Sequence, residues 1–238
     1  MLAGLWIAQS DAKRRGQDPE LYLDFALYAI ICSIIGARIY YVIFEWDYYK
    51  ENLLQIFNLR AGGLAIYCGV IAGAITMIVY TRVKKVSFFS MADTGVLGLV
   101  TGQIIGRWGN FFNCEAFGGY TDSLLAMRIR RSLVNDNMLN ADVLSHKIVE
   151  NGVEFIQVHP TFLYESCWNL CLLIFMLWFR KYKKYDGQMF WIYLLGYGTG
   201  RFWIESLRTD QLILFGTGLP VSQALSLVLI IVAAGNLI

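Results

Sequence analysis

The chain has 238 residues, 57% hydrophobic and 16% charged, with a mean hydropathy of +0.49. That balance is too apolar for a soluble domain of this size and points to a polytopic membrane protein. A formal net charge of +2 gives no bulk attraction for nucleic acid, so the placement of lysine and arginine along the chain carries the information. With three prolines and no Ser/Gly-rich or Gln/Asn-rich tract, the expectation is a single integral membrane domain over residues 1–238, all-α, with about seven transmembrane helices.

The first apolar segment, Met1 to about Gln9, is far shorter than the roughly 20 residues a spanning helix needs, and the expectation is that residues upstream of Met1 complete it. No basic region leads into a cleavage site, so no signal peptide is expected. Lys13-Arg14-Arg15 follows, then Asp18-Pro19-Glu20, a helix-start signal. Leu21 to Phe44 is the second span, interrupted by Asp24 and Arg38. A polar and aromatic loop, Glu45 to Asn58, places Trp46, Tyr48 and Tyr49 like an interfacial belt. The third span, Leu64 to Tyr80, is opened by Arg60-Ala61-Gly62-Gly63 and ends in Arg82, Lys84 and Lys85. Met91 to Phe112 is the fourth. Asn113 to Val158 is the only long polar connection, with a short strand at Glu154 to Val158; at that length it reads as a small folded extramembrane head over residues 113–158. Pro160 to Phe179 is the fifth span and ends in Arg180, Lys181, Lys183 and Lys184. Met189 to Leu207 is the sixth, and Leu219 to Ile238, entered through Gly216, Gly218 and Pro220, is the seventh.

The three dense basic clusters follow spans one, three and five and therefore share one side, which the positive-inside rule makes cytoplasmic. The N-terminus is then outside and the C-terminus inside. The far end of span four, the head, the start of span five and the outer end of span six all face the external leaflet. The five cysteines show no CxxC pair or zinc spacing, and the residues contain no HExxH, aspartate-rich motif, P-loop or nucleotide fingerprint, so neither a metal nor a cofactor is expected.

Ionisable groups within apolar spans are costly and are function suspects by default. Arg107 and Arg201 each lie near the outer end of a span. Snorkelling or a structural ion pair would account for either alone, but two planar, permanently charged guanidiniums facing one leaflet form a clamp for phosphate. Glu205, four residues after Arg201, shares its helical face, and Arg208 extends that face if the helix continues so far. Asn110, Asn113 and Glu115 follow Arg107 within about two turns, where they either cap the helix or bind glycerol hydroxyls and phosphate oxygens; Gly109 and Gly118 allow a sharp turn or close ligand approach. His159 precedes a proline at a helix start. Glu165, a turn further in, has no cation nearby in sequence and needs a partner from another helix, with Arg107 and Arg201 the natural candidates. Tyr67 either directs its hydroxyl into the site or anchors at the interface.

Four ordered blocks, GRWGNFFNCEAFG (106–118), HPTFLYE (159–165), GGLAIYCG (62–69) and RFWIESLR (201–208), together resemble the prolipoprotein diacylglyceryl transferase family over essentially the whole chain. The resemblance implies seven transmembrane helices, an external N-terminus, a cytoplasmic C-terminus, a small external head and residence in the bacterial cytoplasmic membrane. It implies transfer of the diacylglyceryl group from phosphatidylglycerol to the lipobox cysteine of a preprolipoprotein signal peptide, with release of glycerol phosphate. On this sequence the signature arginine is Arg107, its asparagine Asn110, its glutamate Glu115 and its later glycine Gly118. The second arginine is Arg201, with Glu205 and Arg208 in its block. The catalytic candidates are thus Arg107, Arg201 and Tyr67, and the substrate-binding candidates Asn110, Glu115, Gly118, His159, Glu165, Glu205 and Arg208. The chain departs from the family pattern at Tyr67, where some members carry a histidine proposed as a base, and at the N-terminus, where members extend further. The competing expectation is a transporter or binder of anionic lipid headgroups, using the same arginines without bond cleavage.

Overall fold

The computed structural model describes residues 1–59, 62–213 and 218–238; the Arg60-Ala61 opening of the third span and Gly216 before the seventh lie outside them. Contacts divide the chain into two units, one containing Gly4–Gly95 and the other Val96–Ile238. Helix α5 (Phe88–Phe112) contributes its start to the first unit and the remainder to the second.

In the first unit, α1 (Leu2–Arg14), α2 (Glu20–Phe44) and α4 (Ile66–Lys84) are the main helices, with a single turn, α3 (Trp46–Tyr49), and a 3-10 stretch, Leu53–Phe57, between the last two. The aromatic loop read from the sequence is therefore partly helical. Helices α2 and α4 meet along a seam of small residues. A Cβ on Gly36 would stand 2.6 Å from the Ala72 Cβ, while one on Gly69 would sit 3.4 Å from the Ser33 carbonyl. Close backbone approach of this kind raises dispersion contact where lipid supplies no hydrophobic drive to association. Large side chains elsewhere on the pair, such as Ile31, Ile39, Ile71 and Ile75, are exposed, as expected of helices solvated by lipid rather than water.

The start of this unit is held by polar contacts. Asp11, wholly buried, pairs with Arg14 at 2.9 Å and Arg15 at 2.6 Å. The Thr94 hydroxyl donates toward Asp11 and Gln17, Tyr22 donates to Gln17 at 2.6 Å, and the Gln17 amide donates to Ser90. Part of the first basic cluster is thus spent on a buried carboxylate, because a buried charge must be paired to persist.

In the second unit, α5 leads into a three-stranded antiparallel sheet in the order β1-β3-β2, formed by Met127–Arg130, Val153–Val158 and Ile148–Glu150. The two-residue turn Asn151-Gly152, both at positive φ, joins β2 to β3 with Glu150 opposite Val153, the Asn-Gly hairpin geometry that matches strand twist. Phe117, Ile129, Val134, Val143, Ile156 and Val158 form its small core, under a short helix, α6 (Ala141–Ser145). The single strand read from the sequence is thus one of three. Then come α7 (Thr161–Phe179), α8 (Gln188–Glu205) and α9 (Val221–Leu237). The Trp168 indole donates to the Gly196 carbonyl at 2.8 Å and ties α7 to α8, and Gly198 faces the Ser226 carbonyl of α9.

Among the described residues four helices have the length and apolarity to cross a membrane: α2, α4, α5 and α7 extended to Tyr182. The seven spans read from the sequence are therefore met in part. Helix α1 has 13 residues and α9 has 17. Helix α8 has the length, but its tyrosines, glycines, Arg201 and Glu205 dilute its apolarity.

Candidate functional site

In the second unit, three helix ends bring together the charged groups the sequence singled out. Arg107 comes from the last turns of α5, Glu165 from the first turns of α7, and Arg201 with Glu205 from the end of α8. Glu165 is 4% exposed and uses one oxygen for each arginine: Oε2 lies 2.6 Å from Arg107 Nη2, and Oε1 accepts from Arg201 Nη1 at 2.8 Å. Arg201 Nη2 stands 2.6 Å from Glu205 Oε2, an ion pair without hydrogen-bond alignment. The sequence left Arg107 and Arg201 as alternatives for Glu165; the structure gives it both. This works because a carboxylate has several lone-pair positions on two oxygens and can bridge two guanidiniums.

Helix α8 ends at Glu205, so Arg208 does not extend its face as a helical residue. It lies beyond the end, 4.0 Å from Glu205, and makes a two-pronged pair with Asp210 at 2.9 and 2.6 Å. Burial works against the charged form of both partners, but the hydrogen bond and charge outweigh it, holding Arg208 above and Asp210 below their ordinary pKa. Sequence reasoning missed Asp210. An acid two residues from a suspected site arginine was the available signal.

The signature following Arg107 is a helix end. Asn110 and Asn113 both donate side-chain amides to Glu115 Oε1 at 3.1 Å, and the Glu115 N–H returns to the Asn110 carbonyl at 3.0 Å. Cys114 and Ala116 take left-handed backbone conformations, unusual for residues with a Cβ, and the polar ring fixes this exit from the helix. Gly118 is then packed against two elements: its N–H donates to the His159 carbonyl at 2.9 Å, and an added Cβ would lie 2.7 Å from His159 Cβ and from the Leu207 carbonyl. With Gly119 donating to Leu207 and receiving from His159, the strap ties the start of α7 to the end of α8. Close approach at Gly118 is thus to neighbouring protein atoms, the His159 Cβ and the Leu207 carbonyl, with the Thr161 methyl 3.3 Å away. Gly109 is different, since a Cβ there would meet nothing within 4 Å.

His159 contributes its backbone to that strap, and its Nδ1 sits 3.2 Å from the Tyr164 hydroxyl. Burial pushes its imidazole below the ordinary value. Tyr67, half exposed in the first turn of α4, belongs to the other unit. A cavity of about 280 Å³ in that unit is lined by Arg38, Tyr41, Glu45, Tyr48, Tyr49, Gln55, Asn58 and Gly63. All five cysteines are free.

Three guanidiniums and three carboxylates alternate here, Arg107, Glu165, Arg201, Glu205, Arg208 and Asp210, so the assembly is charge-balanced. Each guanidinium has five N–H donors, more than its carboxylate partners use, and those remaining suit phosphate oxygens. A low-dielectric setting raises the value of each such contact over that in water.

Apolar helices long enough to cross a membrane, with paired arginines and carboxylates at their ends, define the class as an integral membrane protein. The family model described as prolipoprotein diacylglyceryl transferase matches residues 1–238. Among similar curated proteins, the phosphatidylglycerol–prolipoprotein diacylglyceryl transferase of Clostridioides difficile is 45% identical over 96% of this chain and 82% of its own length. Those of Bacillus cytotoxicus, at 41% over 98% and 81%, and Listeria welshimeri, at 42% over 100% and 81%, carry the same description. The chain belongs to the prolipoprotein diacylglyceryl transferase family.

Proposed function

We propose that this chain carries out the diacylglyceryl transfer step of lipoprotein maturation, moving the diacylglyceryl group of phosphatidylglycerol onto the lipobox cysteine of a preprolipoprotein. The family membership supports the reaction, and the single observation that supports the assignment of residues is Glu165 bridging Arg107 and Arg201. The cysteine sulfur attacks the glycerol carbon bonded to the phosphate oxygen. A C–S bond forms, the C–O bond breaks with its electron pair leaving on oxygen, and glycerol phosphate departs with an added negative charge. Arg107 and Arg201 stabilise that growing charge, the form of catalysis that fixed donors supply best. Their positive potential also favours the thiolate over a thiol of pKa about 8.5. Glu165 and Glu205 hold the two guanidiniums in place, Asn110 and Glu115 shape the headgroup side, and Arg208 adds a contact at the rim. Tyr67, His159 and water are the candidates for accepting the thiol proton.

On this reading residues 1–238 form one transferase domain crossing the bacterial cytoplasmic membrane seven times, N-terminus outside and C-terminus inside, with 113–158 as an external head. The three basic clusters on alternate connections support the orientation. Incubation of the purified protein with phosphatidylglycerol and a lipobox peptide should yield a thioether-linked diacylglyceryl peptide and glycerol phosphate. Folded protein that binds the lipid but forms neither product would replace the transferase with a headgroup binder.

A further inference from the structure

Arg38, in the last turns of α2, is 6% exposed and spends its whole guanidinium on backbone. Nε donates to the Ile56 carbonyl at 2.8 Å, Nη1 to Gly62 and Gly63 at 2.9 Å each, and Nη2 to Gln55 at 2.6 Å and Asn58 at 3.2 Å. The Tyr49 ring covers it, with 5.0 Å from guanidinium carbon to ring centroid. A guanidinium has five N–H groups, so these bonds leave no donor over for a ligand. Among the described residues no carboxylate lies within ion-pair distance of Arg38. The charge is held by carbonyl dipoles of irregular backbone, which in turn needs donors that a membrane cannot supply.

The glycines of this segment take their purpose from the same contact. Gly62 and Gly63 have φ of +84° and +77°, a pair of left-handed residues whose carbonyls both reach one nitrogen. A Cβ on Gly63 would stand 2.5 Å from that nitrogen. Two residues later the Ala65 N–H donates to the carbonyl of Ala37, the neighbour of Arg38, at 3.1 Å, and Gly69 donates to Ala65 at 3.1 Å to begin α4. The chain is therefore pinned to one point on α2 immediately before Tyr67. A one-residue slip of a helix start turns every side chain by about 100°, enough to aim Tyr67 at a different target.

We propose that Arg38 is a positioning residue for the transfer reaction: by gathering the carbonyls of Gln55, Ile56, Asn58, Gly62 and Gly63, it fixes the entry to α4 and with it the placement of Tyr67. The inference rests on the reaction proposed above. Lysine keeps the charge but carries three donors on one atom and cannot span five carbonyls. Arg38→Lys should lower kcat per folded molecule by about tenfold or more, with KM for phosphatidylglycerol within about threefold, the pattern of a group that serves the reaction rather than lipid binding. Combined with Tyr67→Phe, it should cost no more than the worse single variant, since both act through one side chain. Gly63→Ala attacks the clamp with Arg38 intact and should reproduce the loss. Hydrogen exchange supplies a readout without activity: the Ala65 and Gly69 amides should lose protection in Arg38→Lys while the Gly36–Ala72 stretch of the helix seam keeps it. Wild-type kcat in folded Arg38→Lys, additive losses with Tyr67→Phe, or unchanged Ala65 exchange would overturn the clamp. Wild-type protein that forms no thioether would overturn the reaction instead, and the exchange experiment would still judge the clamp.

Discussion

Glu165 is the residue on which the cations of two other helices converge, and its burial makes the arrangement demanding. Removing one member of a buried charge set typically costs about 3–5 kcal/mol, because the remaining charge is left unpaired. On the proposed reaction, arginine at 107 and 201 acts through its fork as well as its charge, since lysine cannot hold a carboxylate and a phosphate in one plane. Arg107→Lys and Arg201→Lys should each remain folded and lose about a hundredfold or more in turnover, in the range seen when one fixed donor to a developing charge is removed. Near-normal product formation in either would remove that arginine from the catalytic role. The half-buried His159 sets a pH dependence. Its folded pKa lies below the unfolded value of about 6.5, so between the two the unfolded chain binds more protons and stability rises with pH. Thermal unfolding in detergent should therefore shift to lower temperature as pH falls below about 6.5, and His159→Gln should flatten that slope. Asp210 acts in a separate window: its depressed pKa gives stability present above about 3.9 and lost as pH falls through its folded value.

Helices here are placed by glycines that differ sharply in what surrounds them. Gly36 faces the Ala72 Cβ at 2.6 Å, and Gly109 faces open space. Gly36→Ala should push α2 and α4 apart and lower the unfolding temperature, whereas Gly109→Ala should leave it unchanged or slightly higher, since alanine favours helix by about 1 kcal/mol over glycine. If Gly109→Ala abolishes turnover at full stability, the space beside it belongs to the substrate. Equal destabilisation by both would remove the seam as an explanation. Most helix positions were legible from the sequence because long apolar runs between basic clusters are a strong signal. Glu154–Val158 is legible in the sequence as a strand, whereas its partners Met127–Arg130 and Ile148–Glu150 are not. Short amphipathic strands carry little pattern of their own, and the Asn151-Gly152 turn is the one local cue to the hairpin.

For the molecule as a whole, sequence by itself determined membrane residence, the candidate arginines and the family, because apolar runs, basic loops and four ordered motifs are properties of the chain read in one dimension. It also placed Glu165 in need of a distant cation, since an acid at membrane depth without one is too costly. What it could not determine was which cation. That Glu165 serves both arginines, that Asp210 closes the row beyond α8, and that Gly118 is a packing residue of the strap depend on three helix ends meeting. Arg38 makes the same point: in the sequence it was an interruption in an apolar helix, and only the folded chain brings five carbonyls, from residues 17 to 25 positions away, around it. The reason is physical: burial creates the need for a partner locally, but which group satisfies it depends on distances between segments remote in sequence, and those exist only after the helices have packed.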